Sequence, residues 1–237
     1  MKLFEDGRIL LGFSDTVDKD LSFYNMSPDQ AERAWSHLEV AQLQGLKAPV
    51  WAIQVHGNRV LPVKEFSPEL LTEKADALIT DLTDQPIGVF SADCLPVLLY
   101  SPRICAAVHA GWRSTRQNIA AATVQAFSSI YGESAVSLKA HIGPCIGQCC
   151  LEMGDEVYDE FVNENEKYAA FFVRRSKWHL DLRSLNRFQL VQAGLKDENI
   201  DDLDRCTFCH ADEYYSFRRQ RQRNGSMFSF IVNRSGN

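Results

Sequence analysis

Short unbroken apolar runs, short alternations and helical spacings follow one another along the chain, separated by polar turns. Residues 97–100 (VLLY) and 104–108 (ICAAV) flank Ser101-Pro102-Arg103, which predicts a β-hairpin. Asp6-Gly7 between the apolar stretches of 3–13 signals another. In 50–63, Trp51, Ile53 and Val55 alternate with Ala52, Gln54 and His56, predicting a strand with one buried face and His56 on the other. Residues 75–80, 86–90, 136–142 and 178–182 read as further strands. Ser27-Pro28-Asp29 opens a helix, with serine as cap and proline at the first helical position; Ala31, Ala34, Trp35 and Leu38 share a face and Gly45 is the expected stop. Beyond His109, Ser114 or Thr115 is expected to cap a helix carrying Ile119, Thr123, Ala126, Phe127 and Ile130. Helices are also expected at 152–162 and 185–193. Residues 214–232 predict a hairpin around Asn224-Gly225, with Tyr215, Phe217, Phe228 and Phe230 as β-type positions. Arg218, Arg219, Arg221 and Arg223 would line its solvated edge, and of the adjacent Arg218 and Arg219 only one can face a given site. Strands and helices mix without strict βαβ alternation, and no repeat or linker intervenes. The expected fold is therefore α+β, with mixed β-sheets flanked by helices in a single domain over 1–237.

Composition narrows the function classes. A net charge of −6 argues against a general binder of nucleic acid or anionic membrane. No run reaches the ~18 apolar residues that a membrane span needs, and acidic residues and Gly7 in the first seven positions are unlike a secretory signal. The seven cysteines are an odd count without the spacing of a disulfide scaffold, which points to free thiols in a reducing cytoplasm.

The densest chemistry lies in 91–113, SADCLPVLLYSPRICAAVHAGWR. Counted back from the Ser101 turn, Cys94 and His109 are nearly equidistant, so antiparallel pairing brings them within about two residues of register. Pro96 cannot donate to a ladder, so pairing is expected to fray there and leave the Cys94 sulfur at an open end of the sheet. With His56, also at an expected strand end, two imidazoles and a thiol make a ligand set known for catalytic zinc, with one position open. A Cys/His catalytic pair, or a buried thiol beside core histidines, fits the same residues. Arg113 and Ser114 at the start of the next helix form an expected anion site for phosphate or a carboxylate. Cys206 and Cys209 form a CxxC, and Cys145, Cys149 and Cys150 cluster elsewhere; a structural metal, a redox pair and plain buried thiols are the readings open to them. His37, His141, His179 and His210 stand apart from these motifs.

The motifs QVHG (54–57), DALIT (76–80), SADCLPVLL (91–99), AAVHAGWR (106–113), IGPCIG (142–147), and CTFC through SFRR (206–219) resemble, in order, those of the laccase-domain family. Its members, once described as multicopper polyphenol oxidases, are now described as zinc-dependent purine nucleoside phosphorylases with adenosine deaminase activity. The resemblance implies His56, Cys94 and His109 as metal ligands. It also implies a fold akin to cysteine hydrolases of the cytotoxic necrotizing factor type. Gln54 and Arg219, inside matching motifs, join Arg113 and Ser114 as expected substrate or phosphate contacts. The chain departs from the family at 12–20 (GFSDTVDKD), and at Ser114, where glycine is usual. A multicopper centre commonly uses many His-x-His pairs; this chain has six histidines and no such pair. A single copper on His56, Cys94 and His109 remains compatible with the donor set, although an open position favours zinc.

The expected reaction is cleavage of adenosine, inosine or methylthioadenosine by phosphate, together with adenosine deamination. Zinc would lower the pKa of a bound oxygen, and Asp93 would shuttle a proton. Three other classes are carried forward. These are a peptidoglycan-precursor hydrolase acting on a UDP-muramyl amino acid, a cysteine hydrolase using Cys94 and His109 directly, and a non-enzymatic module pinned by its metal.

Overall fold

The computed structural model describes residues 1–222 and 225–235. Its core is four layers deep, built on two facing sheets. One sheet has six strands in the order β12 (Ile200–Asp202), β8 (Lys139–Ile142), β6 (Leu95–Tyr100), β7 (Cys105–Ala110), β4 (Ala77–Thr80) and β3 (Val60–Val63). The other has four, β1 (Lys2–Asp6), β2 (Ile9–Phe13), β13 (Met227–Asn233) and β5 (Ile87–Ser91), all antiparallel. Leu11, Phe13, Ile87, Val89 and Ile231 of the smaller sheet pack against Leu61, Leu78, Leu98 and Ala107 of the larger. The outer face of the larger sheet carries α4 (Ile119–Tyr131) and α6 (Leu182–Gln192), while α1 (Pro28–Ser36) and α2 (Glu39–Gln44) cover Phe90, Phe228 and Phe230 on the smaller. Both faces of β6 and β7 are therefore buried, which is why these strands read as unbroken apolar runs. A small third sheet joins β10 (Phe172–Arg174), β11 (Trp178–Leu180) and β9 (Glu152–Met153), and α5 (Asp155–Glu164) lies in the connection from β9 to β10. The architecture is α+β with mixed sheets, as the spacing predicted.

Several local expectations change. The Ser27 cap is present, with a reciprocal Gln30 bond, but the first helix breaks at His37 and resumes as α2 before Gly45 stops it in the left-handed region. The alternation at 50–63 does not make one strand. Val50 and Ile53 form single bridges, and Ile53 and Val55 are 43% and 48% exposed while Ala52 is buried. The N–H groups of Val55, His56 and Gly57 donate to the Asp76 carboxylate instead of to a neighbouring strand. The turn after His109 forms its own short helix, α3 (Trp112–Arg116), capped by Gly111. Ser114 and Thr115 are buried within it, and Asn118 caps α4. The C-terminal hairpin is replaced as well. Its turn residue Asn224, with Arg223, lies outside the described residues, but 217–220 form the helix α7 (Phe217–Gln220). β13 is an interior strand between β2 and β5, and Arg218, Arg219 and Arg221 precede it outside any strand, so these three edge no sheet. Pro96 pairs opposite His109 in a central strand without fraying it. His109 N–H turns away to the Asp76 carbonyl (2.7 Å), and the Pro96 carbonyl accepts Gly143 N–H (2.9 Å), so no ladder bond requires a proline N–H.

Candidate metal centre

The chain crosses from the small sheet to the large one at Ser91–Leu95, between β5 and β6, and the crossing opens a cleft between the layers. Cys94 lies in that crossing, His109 on β7, and His56 in the loop before β3. Their donor atoms all lie within 4.8 Å of one another. Cys94 Sγ is 3.7 Å from His56 Nε2, and the two imidazoles meet edge to face at 4.9 Å. The expected pair thus acquires its third member from a loop distant in sequence.

Asp76, fully buried at the start of β4, organises the group. One oxygen meets His109 Nδ1 (2.9 Å) and accepts from His56 N–H (2.9 Å), and the other accepts from Val55 N–H (3.1 Å) and Gly57 N–H (2.7 Å). This arrangement turns His109 Nε2 toward the ligand position and fixes the backbone of His56, which adopts a positive φ of 59°. Burial raises the Asp76 pKa, but His109 and the N–H groups outweigh it and hold the carboxyl below its ordinary value. Burial likewise opposes the Cys94 thiolate, yet His109 and His56 bring the thiol down to about 6. His109 moves the other way, to about 9: burial lowers it, while Cys94 and Asp76 raise it further. Gly111 makes room for the trio, since a Cβ there would stand 2.7 Å from His56 Cδ2 and 3.1 Å from Cys94 Sγ. Asp76 opens the DALIT motif, and a carboxylate immediately before a buried strand was the available sign of its role.

The trio sits in a cleft of about 600 Å³ whose walls include Tyr24, Phe90, Trp112 and Phe217. Of the expected contacts, Arg113 lines the cleft, with its guanidinium 4.1 Å over the Trp112 ring. Gln54 also lines it, but its amide clasps the Phe90 backbone in both directions at 2.8 Å. Asp93, at a positive φ of 98°, accepts from the Thr207 hydroxyl (2.6 Å) and from Arg218 N–H (2.7 Å), one on each carboxylate oxygen. Ser114 is buried beneath the surface of α3, away from the lining. Arg219 donates to the carbonyls of Thr207, Phe208 and Tyr214, and its neighbour Arg218 is the one that faces the cleft. Among the described residues, 12–20 contribute nothing to the lining; Asp15 and Asp18 instead bind the N-terminal amine at 3.0 and 2.9 Å.

The donor set fits a divalent ion. Metal–ligand bonds of about 2.0–2.3 Å put tetrahedral neighbours roughly 3.3–3.8 Å apart, and the carboxylate on His109 Nδ1 is the usual outer partner of a metal-bound imidazole.

The chain is 32% identical over 235 residues to a protein of Clostridium acetobutylicum named purine nucleoside phosphorylase, covering 97% of this chain and 94% of the relative. A protein from an unknown prokaryotic organism, named adenosine deaminase, is 36% identical over 190 residues, covering 75% and 72%. The crystal structure of the Bacillus licheniformis hypothetical protein YfiH superposes with a TM-score of 0.81 at 26% identity, covering 94% of this chain and 92% of that one. The family model for multi-copper polyphenol oxidoreductase laccase matches residues 12–234, and the chain, whose expected ligands meet in one cleft, belongs to that family.

Proposed function

We propose that this protein is a zinc-dependent purine nucleoside phosphorylase that also deaminates adenosine. The observation that carries the reading is the convergence of His56, Cys94 and His109 in an aromatic-walled cleft that Arg113, stacked on Trp112, also lines. The names of relatives that align over most of the chain support the same reaction class.

His56, Cys94 and His109 would hold a divalent ion, which would supply Lewis acidity when bound. The chain's own groups do the rest. Asp76 keeps His109 in one tautomer and one orientation. Tyr24, Phe90, Trp112 and Phe217 offer flat apolar surface to a purine. Arg113, steadied on Trp112, offers charge-assisted donors to phosphate. In phosphorolysis a phosphate oxygen bonds to ribose C1′ as the C1′–N9 bond breaks and the base leaves with that electron pair and a proton. In deamination water replaces the C6 amine, which leaves as ammonia. Asp93, whose oxygens hold Thr207 and Arg218, acts here as a positioning residue rather than as a proton shuttle. Substrate selection among adenosine, inosine and methylthioadenosine belongs to the same proposal.

A second reading draws on one specific feature: Asp76, His109 and Cys94 stand in the order of a carboxylate–imidazole–thiolate triad, and the thiol is brought down to about 6. His56 beside the sulfur favours the metal. Metal-quantified protein incubated with adenosine, with and without phosphate, tests both. Adenine that appears only with phosphate indicates phosphorolysis, and inosine indicates deamination. Neither product from zinc-loaded protein would sink the proposal, and a metal-free protein that hydrolyses substrate until its thiol is alkylated would favour the triad.

A further inference from the structure

Four of the remaining cysteines meet on the far side of Asp93. Cys149 and Cys150 lie in the turn after the GPCIG loop, and Cys206 and Cys209 in the turn that follows β12. Their sulfurs all lie within 4.8 Å of one another. Cys149 is 3.8 Å from Cys206 and 3.7 Å from Cys209, while Cys150 is 3.4 Å from both Cys149 and Cys209. All four thiols are free, and these spacings far exceed the about 2.0 Å of a disulfide. They match a different object. Zinc bound at about 2.3 Å by four thiolates sets its sulfurs roughly 3.8 Å apart at the corners of a tetrahedron.

The backbone is arranged for sulfur at these positions. Gly147 N–H donates to Cys206 Sγ at 3.2 Å, and a Cβ on Gly147 would press on Cys206 and Cys149 at 3.2–3.3 Å. Cys145 and Cys206 form a parallel bridge, with Cys145 N–H to the Arg205 carbonyl (3.2 Å) and Thr207 N–H to the Cys145 carbonyl (3.0 Å). Cys145 itself stays out of the cluster, buried in the core. A CxxC therefore finds its partner pair in an adjacent Cys-Cys far away in sequence, a combination that no finger-type spacing announces.

We propose that Cys149, Cys150, Cys206 and Cys209 bind a second zinc ion, in a closed tetrathiolate site distinct from the His56 centre. Its consequence is positional. The two segments it would tie together both hold Asp93: Ile146 N–H donates to the Asp93 carbonyl (2.9 Å) and the Thr207 hydroxyl to its carboxylate. Asp93 precedes the ligand Cys94, so the clip would brace the wall of the cleft without entering it.

The test measures metal and thiols in the full chain, purified without chelator. Zinc per protein should exceed by one ion what the His56 site holds. Replacing Cys206 and Cys209 by Ser should remove one ion and leave the other, whereas H56A should remove the other and leave this one. Because the double variant risks misfolding, cobalt-loaded wild-type protein provides an independent reading. Its spectrum should contain the intense sulfur-to-cobalt charge transfer of four thiolates alongside the weaker contribution of a site with one. The exposed Cys149 and Cys209 should resist a thiol reagent in native protein and react once the metal is stripped. A single ion that H56A removes, immediate labelling of Cys149 and Cys209, or a disulfide between members of the cluster would each overturn the proposal.

Discussion

A buried carboxylate that meets an imidazole nitrogen and three successive backbone N–H groups has two effects: it sets the direction of the ring and it stiffens the loop that carries the next ligand. Asp76 makes all of these contacts, between His109 on one side and residues 55–57 on the other. Asp76→Asn retains the shape but loses the charge, and its NH₂ cannot accept what the carboxylate accepted. Zinc affinity at the His56 site should fall by roughly 10–100-fold, the usual effect of losing such an outer partner. Competition with a chromophoric chelator measures it, and unchanged affinity would remove Asp76 from the centre. The DALIT motif gave this residue's position, but not its work. A carboxylate before a strand can face solvent equally well, and only the return of 55–57 onto it decides otherwise.

Among the elements, the short helices after β7 and β12 depart furthest from their sequence reading, and they assign the two arginines opposite duties. α3 buries Ser114 and exposes Arg113 beside the cleft, while the start of α7 is held by Ser216 and Asp93. Arg219 then turns inward to three carbonyls of the 207–214 turn. Arg113→Ala should therefore raise KM for phosphate by roughly tenfold or more, the worth of one charge-assisted hydrogen bond, with little change in stability. Arg219→Ala should cost about 2 kcal/mol of stability in denaturant titration, because it strands carbonyls that the guanidinium satisfied. Its KM for phosphate should change far less than that of the Arg113 variant. The reverse pattern would return Arg219 to the site. Apolar aromatic spacing in 214–232 suggested strands throughout, yet a side-chain cap and a distant carboxylate were enough to turn 217–220 into a helix turn.

In the whole molecule, the centre depends on two sheets staying in register, because Cys94 crosses between them while His109 belongs to one of them. Leu98 of β6 packs in the cluster between the sheets and is fully buried. Leu98→Ala should destabilise the fold by about 2–5 kcal/mol through lost apolar contact and the cavity left behind, read from thermal or denaturant unfolding. A loss below 1 kcal/mol would mean that the interface between the sheets adapts freely. Among the described residues no helix is long and apolar enough to cross a membrane. The β6–β7 hairpin, the Asp6-Gly7 turn, the Ser27 cap and the α+β class were determined by the sequence itself, because each rests on local periodicity, turn chemistry or a neighbouring cap. The approach of Cys94 to His109 follows from the same local count. What only the tertiary structure decided joins distant segments. His56 reaches the hairpin because a buried carboxylate satisfies a loop that has no strand partner. That Arg218 rather than Arg219 faces the cleft was settled by the fold, where Asp93 accepts the Arg218 N–H and Arg219 turns to three carbonyls. Four cysteines in two turns converge because Cys145 and Cys206 form a parallel bridge across about sixty residues of chain. Contacts of that range carry no periodicity, so the chain had to fold before they could be read.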